Sequence, residues 1–319
     1  MRGRLATLFS VGLALLCARQ AGAQAAPVLV GQAWIHEVKP KETLNGIARR
    51  HGLSPQRIRA LNGLKPGQRL KAGQRLHLSN RHIVPSSRGS KLLINIPDLR
   101  LYRFEGDRLV AHYPVSLGEP HDERQLKEPR RWQTPSGTFK IAEKRANPAW
   151  NIPRSIQEER EAEGKQAMTR MPPGAENPLG KYWLGLTKWG YGIHGTIAPS
   201  SIGKFATHGC IRMKPGHVAE VFKAVKLGDV VRLAYEPIKV MTDGSAVWLE
   251  VAWDPYARFP DLQALAQKRL AQAGVLDRVD PARVAQAVRK RWGVSIRVER
   301  GAPAPFPPLA PVQAVRAPS

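Results

Sequence analysis

A histidine, a cysteine and an arginine are spaced in this chain in a way that could support nucleophilic acyl transfer. His194 precedes Cys210 by 16 residues, and Arg212 follows the cysteine by two. A thiol that attacks an amide needs a nearby base, because a free cysteine with a pKa of about 8.5 is mostly protonated at neutral pH. It also needs N–H donors for the oxyanion that forms on the carbonyl. Gly209 lets the main chain approach a substrate closely, and the turn at 208–210 supplies N–H groups.

A zinc site is the alternative use of the same side chains. His194, His208 and Cys210 are all possible zinc ligands. The chain beyond residue 23 has no second cysteine and no further pair of ligands at zinc-finger spacing, so we predict neither a metal nor any other cofactor. Arg212 leaves a cation near the thiol, where it favours the thiolate and can pair with a substrate carboxylate.

The segment around Cys210 contains a signature that is more specific than any single residue. It consists of His194-Gly195-Thr196, Pro199-Ser200-Ser201-Ile202-Gly203 and Thr207-His208-Gly209-Cys210-Ile211-Arg212-Met213. This signature resembles that of the YkuD-type L,D-transpeptidases, and the resemblance covers roughly residues 90–235. Other landmarks of that family occur in the same order, namely Thr134-Pro135-Ser136-Gly137, Asn147-Pro148-Ala149-Trp150, Ile152-Pro153 and Asn177-Pro178-Leu179-Gly180.

The resemblance implies a role for each residue that matches the signature. Cys210 is the expected nucleophile, and His194 is the expected proton acceptor and donor. The residues expected to line the oxyanion hole or to position substrate and base are His208, Gly209, Arg212 and Gly195. The Asn and acidic residue that often follow the family signature are replaced here by Pro215 and His217. We expect this difference to affect the capping of the following helix more than the catalytic chemistry. The resemblance also predicts that carbapenems acylate the thiol.

The reaction that the resemblance implies is a two-step acyl transfer on peptidoglycan. The Cys210 thiolate attacks the third-residue carbonyl of a tetrapeptide stem and expels the terminal D-amino acid, which His194 protonates. An amine then captures the thioester, from another stem to give a 3-3 cross-link or from an outer-membrane lipoprotein lysine. Two other readings stay open. Water could replace the amine in an L,D-carboxypeptidase or endopeptidase, or the protein could bind the wall through another domain without catalysis.

The elements that must position these residues form a mainly β domain at 91–235. Short strands are predicted at Leu92–Ile96, Leu101–Phe104, Leu109–Ser116, Thr138–Ala142 and Val230–Leu233 from their apolar, β-branched composition. One amphipathic helix is indicated near residues 218–225. Two charged insertions, 119–133 and 154–171, interrupt the sheet, and the second has helical character. The resemblance implies a YkuD-like β-sandwich or barrel with few helices.

Residues 34–79 read as a separate βααβ unit. A strand at His36-Glu37-Val38 precedes a helix capped by Thr43, and a second helix that starts at Ser54-Pro55 leads to a strand at Leu76-His77-Leu78. The unit resembles a LysM domain, although Lys41-Glu42 replaces the usual Gly-Asp. The resemblance implies binding to N-acetylglucosamine-containing glycan strands. The expected contact residues are Lys41, Glu42, Thr43, Leu44, Asn62, Gly63 and Leu64.

The remaining segments connect or extend these two domains. Residues 80–90 are polar and contain Pro85 and Gly89, which predicts a linker. Residues 236–300 form a small α+β extension with a strand at Val247–Val251 and helices near 261–273 and 281–292, which we expect to pack against the preceding domain. The tail 301–319 is rich in Pro and Ala and is predicted to be disordered.

The first 23 residues read as a secretory signal peptide, because Arg2 and Arg4 precede an apolar run that ends in Ala21-Gly22-Ala23. Export predicts a periplasmic, wall-associated protein with no transmembrane segment in the mature chain. The net charge is +25, which attracts polyanions. Export argues against nucleic acid as the partner and leaves anionic envelope polymers or a membrane surface. The basic residues are spread along the chain, which is more typical of an ordinary solvated surface. The partner that the family resemblance implies is peptidoglycan.

Overall fold

The computed structural model describes residues 27–120, 132–166, 168–307 and 309. The predicted signal peptide at 1–23 lies outside the described residues, as do most of the first charged insertion and residues 310–319 of the tail. Within the described ranges, no helix is both long and apolar enough to cross a membrane. The protein is mainly β, with six α-helices among the described residues.

The N-terminal unit has the predicted βααβ arrangement. Its elements are β1 (Val28–Val30), β2 (Ala33–Glu37), α1 (Leu44–His51), α2 (Pro55–Asn62), β3 (Arg75–Ser79) and β4 (His82–Val84). Strands β2 and β3 pair antiparallel, and so do β1 and β4. The two helices bury Ile47 and Ile58 against Leu76 and Leu78, so the unit has its own small core.

Local capping explains where the two short helices begin and end. The Thr43 hydroxyl accepts a hydrogen bond from Gly46 N at 3.1 Å, and Ser54 caps α2 in the same way. Gly52 and Gly63 end the helices at φ of 64° and 62°, a left-handed conformation that glycine adopts without steric penalty. The predicted helix boundaries are therefore confirmed.

The prediction of a polar linker at 80–90 is wrong for its first half. Strand β4 lies there, and His82 and Ile83 are completely buried. The Glu250 carboxylate accepts from Ile83 N at 2.7 Å and lies 3.0 Å from the His82 ring. The polar residues are buried because a distant acidic partner satisfies them, which composition alone does not reveal.

The central domain is one curved sheet that closes on itself. Its elements are β5 (Leu92–Asn95), β6 (Arg100–Glu105), β7 (Arg108–Gly118), β8 (Gly137–Ala146), β9 (Trp150–Asn151), α3 (Arg154–Ala162), β10 (Arg170–Met171), β11 (Tyr182–Leu186), β12 (Gly192–His194), β13 (Phe205–Thr207), β14 (Ile211–Met213), α4 (Pro215–Ala224) and β15 (Val230–Ala234). The strand order is β13-β7-β14-β12-β11-β8-β15-β5-β6, and β6 also pairs with β7. This closure gives the barrel-like form that was expected, and the predicted strands and the helix α4 are confirmed.

Strands β12 and β14 are short, parallel and adjacent, and they bring the signature residues together. Ile193 lies opposite Ile211, and His194 lies opposite Arg212. The connection between them runs through a 3-10 turn at Pro199–Ser201 and through β13. The second charged insertion contains helix α3, which confirms its helical character, and ends in β10, which pairs with β9 just before the insertion.

The C-terminal extension builds a core of its own. Its elements are β16 (Ile238–Asp243), β17 (Ala246–Val251), α5 (Leu262–Gln272), α6 (Pro281–Lys290) and β18 (Ser295–Arg297). Helices α5 and α6 pack on this three-stranded sheet, and the cluster includes Leu61 of α2 but, among the described residues, none from 91–235. The expected packing of these helices against the catalytic domain is therefore wrong. Their apolar faces are covered by a sheet that lies partly after them in the chain.

The first residues of the predicted disordered tail contact the two terminal units. The Phe306 ring lies 5.4 Å from Trp292 and 5.6 Å from His77. Trp292 in turn donates from its indole nitrogen to Ala60 O in α2 at 3.1 Å. Residues 301–307 therefore lie over the junction between the N-terminal unit and the extension.

Candidate active site

Cys210 lies in the loop between β13 and β14, immediately before the first residue of β14. It is half-buried, and its Sγ lies 3.5 Å from Gly190 O in the turn that precedes β12. His194 lies opposite Arg212 in the parallel pair β12–β14, so the imidazole and the guanidinium lie on the same face of the sheet. Cys210 precedes Arg212 by two residues. The structure therefore places His194 beside Arg212, and the loop of Cys210 leads directly into the strand that carries Arg212.

His194 is buried and has one unpartnered ring nitrogen. Its Nδ1 has no hydrogen-bond partner among the described residues, while the nearby Gly195 main chain acts to raise the pKa of the ring. The Trp183 indole stacks beside the imidazole at 6.1 Å. Burial, reinforced by the charge of Arg212, lowers the pKa of His194 to about 3. The imidazole is therefore neutral at neutral pH and can accept a proton.

The thiol is also neutral in the resting protein. Burial raises the pKa of Cys210 to about 11, although the Gly192 main chain and the charge of Arg212 both favour the thiolate. The two groups thus rest as thiol and imidazole and not as an ion pair. Attack by sulfur then requires proton transfer to the base in the same step or just before it.

Arg212 is held by the loop that precedes β13. Its Nη1 donates to Ser201 Oγ at 3.0 Å, and Ser201 Oγ donates to Ala198 O at 2.7 Å. Burial lowers the pKa of Arg212, but the guanidinium stays charged at neutral pH. Its buried Nε lacks a partner within the described part of the chain.

Gly209 occupies a position that only glycine fits. Its φ is 106°, and a Cβ at this position would lie 2.7 Å from the Tyr191 ring. Thr207 Oγ1 accepts from Gly209 N at 3.2 Å and donates to Cys210 O at 2.7 Å. The loop that carries the thiol is therefore fixed through its main chain on both sides of the 209–210 peptide.

The His208 side chain contacts the second charged insertion and not the other signature residues. Its Nε2 lies 3.0 Å from Glu159 in α3, and its ring contacts Trp132 at 3.8 Å between centroids. Burial lowers the pKa of His208, which Glu159 partly offsets. No group of three or more possible metal-binding side chains occurs in the described ranges, so His208 does not form a zinc-ligand set with Cys210 and His194.

Gly195 is enclosed next to the base. A Cβ here would lie 3.1 Å from Leu179 O and 3.4 Å from Val218. The close packing of β12 on α4 therefore requires a small residue, and it holds the main chain that follows His194 in place.

Several residues predicted to bind glycan carry internal contacts of the N-terminal unit. Glu42 accepts from Lys39 N at 2.9 Å and contacts His36 and Arg50, and these hydrogen bonds lower its pKa to about 2. Asn62 bonds the main chain of His77 and Ile58. The hydrogen-bonding side chains of Glu42 and Asn62 are therefore occupied in the free protein.

The other predicted glycan contacts are backbone or apolar groups. Lys41 has φ of 65°, a conformation that favours glycine and explains why glycine is usual there in LysM domains. Thr43 and Gly63 cap the helices, and Leu44 and Leu64 pack at the edge of the small core. Any glycan contact through these loops would thus use main-chain and apolar groups.

Sequence reasoning missed the residues that hold the site from a distance. They are Trp183 beside the base, Tyr191 against Gly209, Ser201 on Arg212, Glu159 on His208, and Thr134, which donates to Gly209 O at 2.9 Å. Thr134 and Ser201 lie in segments that resemble family landmarks. The sequence therefore singled out these segments, but it did not indicate what either side chain does. The others follow only from the fold.

Comparisons with known proteins identify the families to which two segments of the chain are similar. The L,D-transpeptidase catalytic domain model matches residues 89–233, and the LysM domain model matches residues 36–79. A Bacillus licheniformis protein named as the L,D-transpeptidase YkuD is 34% identical over 207 residues, covering 62% of this chain and 98% of that protein. The Escherichia coli protein named as the L,D-transpeptidase YcfS is 28% identical over 79% of each chain.

Among solved structures, the catalytic domain of the L,D-transpeptidase of E. faecium has a TM-score of 0.34 and 18% identity, covering 45% of this chain and 95% of that chain. The sequence relationships are stronger, since almost the whole of the YkuD relative is matched by this chain at more than 30% identity. The chain belongs to the L,D-transpeptidase family and carries a LysM domain N-terminal to its catalytic domain.

Proposed function

We propose that this protein acts on peptidoglycan by acyl transfer through Cys210, with His194 as the base. The observation that supports the proposal is a buried, neutral imidazole that lies opposite Arg212 in the parallel strand pair, with the thiol two residues before Arg212 in the chain. A neutral histidine at this position can take the thiol proton, and the same proton is then available for a leaving amine.

The first half-reaction forms a thioester. His194 takes the proton of Cys210 as the sulfur bonds to the third-residue carbonyl carbon of a tetrapeptide stem. The oxyanion accepts from main-chain N–H groups of the 208–210 loop, and Arg212 pairs with a stem carboxylate. The C–N bond to the terminal D-amino acid then breaks, and His194 protonates the departing amine.

The second half-reaction releases the enzyme. An amine from another stem, or from a lipoprotein lysine, attacks the thioester carbonyl and gives its proton to His194. The carbon–sulfur bond breaks, the thiol regains a proton, and a 3-3 cross-link or a protein–wall linkage remains. Neither half-reaction, as written, draws on a cofactor.

The domain arrangement supports an extracytoplasmic site of action. We propose that residues 34–79 hold the enzyme on glycan strands while residues 91–235 carry out the transfer, and that residues 1–23 direct export to the periplasm. The charge of +25 favours a carboxylate-rich polymer as the partner.

Incubation with purified disaccharide-tetrapeptides, followed by mass spectrometry, tests the proposal. We expect cross-linked dimers and free D-amino acid from the wild type, and no products from Cys210→Ala or His194→Gln. Tripeptide without dimer would identify a hydrolase instead of a transferase. Unchanged turnover by Cys210→Ala would overturn the assignment of the nucleophile.

A further inference from the structure

Tyr256, in the loop before α5, is the point where the C-terminal extension enters the catalytic core. It is 8% exposed and packs in the same hydrophobic cluster as Ile193 and Ile211 of the parallel pair β12–β14. Its hydroxyl accepts from Thr134 N at 3.0 Å and donates to Gly118 O at 2.9 Å. Tyr256 lies outside residues 89–233, which match the family's catalytic domain.

Thr134 also contacts the loop that carries the thiol, and so connects Tyr256 to it. Its side chain is fully buried. Its Oγ1 accepts from Gly118 N at 2.9 Å and donates to Gly209 O at 2.9 Å. Only one residue therefore separates the Tyr256 hydroxyl from the main chain next to Cys210.

The geometry of the peptide bond gives this contact a chemical consequence. The carbonyl of Gly209 and the N–H of Cys210 belong to one planar unit. Fixing the direction of Gly209 O therefore fixes the direction of the Cys210 N–H. In the proposed reaction, an N–H of this loop must meet the oxyanion at hydrogen-bond distance, where an error of a fraction of an ångström matters.

A second contact holds the same two segments together. Arg258 Nη1 donates to Ser136 Oγ at 2.7 Å, and its guanidinium lies over the rings of Tyr235 and Tyr256 at 4.3 and 5.5 Å. Residues 134–136 are thus hydrogen-bonded at both ends to the loop of the extension.

The loop itself is organised by a single carboxylate. Asp254 accepts from Phe259 N at 2.7 Å, from Arg258 N at 3.1 Å and from the Tyr235 hydroxyl. Tyr235 Oη in turn accepts from Tyr256 N at 2.8 Å. The conformation that presents Tyr256 is therefore set before any substrate binds.

We propose that Tyr256 is a positioning residue for acyl transfer, acting through Thr134 on the Gly209–Cys210 peptide. The extension at 236–300 is on this view part of the catalytic unit. The inference rests on the proposed function, because it assigns the Cys210 N–H to the oxyanion of that reaction.

The test measures acylation and alkylation of the thiol in full-chain variants. Tyr256→Phe and Thr134→Val each remove one hydroxyl from the relay, and Thr134→Ser restores it. Tyr102→Phe is the matched control, because Tyr102 is also buried and loses one hydrogen bond, to Asp98 at 3.2 Å, in a separate core cluster. Acylation by a carbapenem passes through an oxyanion, whereas alkylation by iodoacetamide does not.

We expect Tyr256→Phe and Thr134→Val to lower the acylation rate and the kcat on tetrapeptide substrate about tenfold, with KM and the alkylation rate changed less than about twofold. Thr134→Ser and Tyr102→Phe should retain acylation, and the double variant should lose no more than either single variant. Acylation within twofold of wild type in both single variants, or an equal loss of alkylation, would overturn the inference. A wild type that forms no acyl-enzyme would instead sink the proposed function.

Discussion

His194 lies directly opposite Arg212 in the parallel pair β12–β14, so a neutral imidazole and a guanidinium share one face of the sheet, and the thiol precedes Arg212 by two residues. The cation has opposite effects on its two neighbours. It lowers the pKa of His194, which keeps the base free, and it lowers the pKa of Cys210, which favours the thiolate. Burial opposes the second effect and dominates it, so the resting thiol stays protonated.

The rate of thiol alkylation should therefore keep rising with pH. Only the thiolate reacts with iodoacetamide, and the pKa of Cys210 is raised to about 11. We expect the rate to rise about tenfold per pH unit from pH 7 to 9 without levelling. Arg212→Gln should be about threefold slower throughout this range because it loses a favourable charge. A plateau already reached at pH 7 would mean a preformed thiolate–imidazolium pair.

Gly209→Ala should abolish acyl transfer and destabilise the fold. The added methyl would meet the Tyr191 ring at 2.7 Å, at a φ of 106°. Gly228→Ala is the matched control, since Gly228 also has a positive φ of 85° but nothing lies within 4 Å of its Cβ position. The control should lose about 1 kcal/mol of unfolding free energy and keep its activity. Equal activity in both variants would contradict the steric account of the loop.

The second charged insertion should contribute to the site through one residue. Glu159 in α3 contacts His208, whereas its neighbour Glu158 pairs with the exposed Arg154 at 2.9 Å. Glu159→Gln should lower kcat/KM several-fold, by about 1 kcal/mol of transition-state stabilisation, because it loosens His208 next to the 209–210 peptide. Glu158→Gln should leave it unchanged. Steady-state kinetics that fail to separate the two variants would show that α3 plays no part in the site.

Stability should depend on pH through His82. This buried histidine contacts Arg57 of α2 and Glu250 of β17. Its pKa in the folded protein is well below 6.5, first because of burial and then because of the nearby cations Arg100, Arg57 and Lys239. The unfolded chain therefore binds a proton that the folded chain does not, and stability falls as pH drops below about 6.5.

Thermal unfolding of His82→Gln checks this expectation. Between pH 6.5 and 5, the unfolding free energy of the wild type should fall by up to about 1.4 kcal/mol more per pH unit than that of the variant. The variant should also be less stable at pH 7, because Glu250 loses a partner. Parallel pH curves for the two proteins would show that His82 is protonated in the folded state.

The elements that sequence patterns predicted are those specified by neighbouring residues. Thr43 and Ser54 each cap a helix that begins at the next residue, through a hydrogen bond from the main-chain N–H three residues further on. The placement of His194 next to the strand that follows Cys210 could be predicted for another reason. Both residues lie in one signature, and a short parallel strand pair joins its two ends.

The features that were missed depend on residues far apart in the chain. His82 is buried because Glu250 pairs with it across 168 positions, so a polar segment that reads as a linker became a strand. The direction of His208 is set by Glu159, and the loop next to Cys210 is held by Thr134 and Tyr256. Periodicity reports which face of an element is apolar, but not which distant group will satisfy a polar one.

Intact-mass measurement after exposure to a carbapenem tests the central claim most directly. A β-lactam carbonyl that is attacked by Cys210 leaves one covalent adduct, and the family resemblance predicts this reaction. The account predicts a single adduct on the wild type, lost in Cys210→Ser and formed much more slowly in His194→Gln. The absence of an adduct on the wild type, or an adduct that persists in Cys210→Ser, would contradict it.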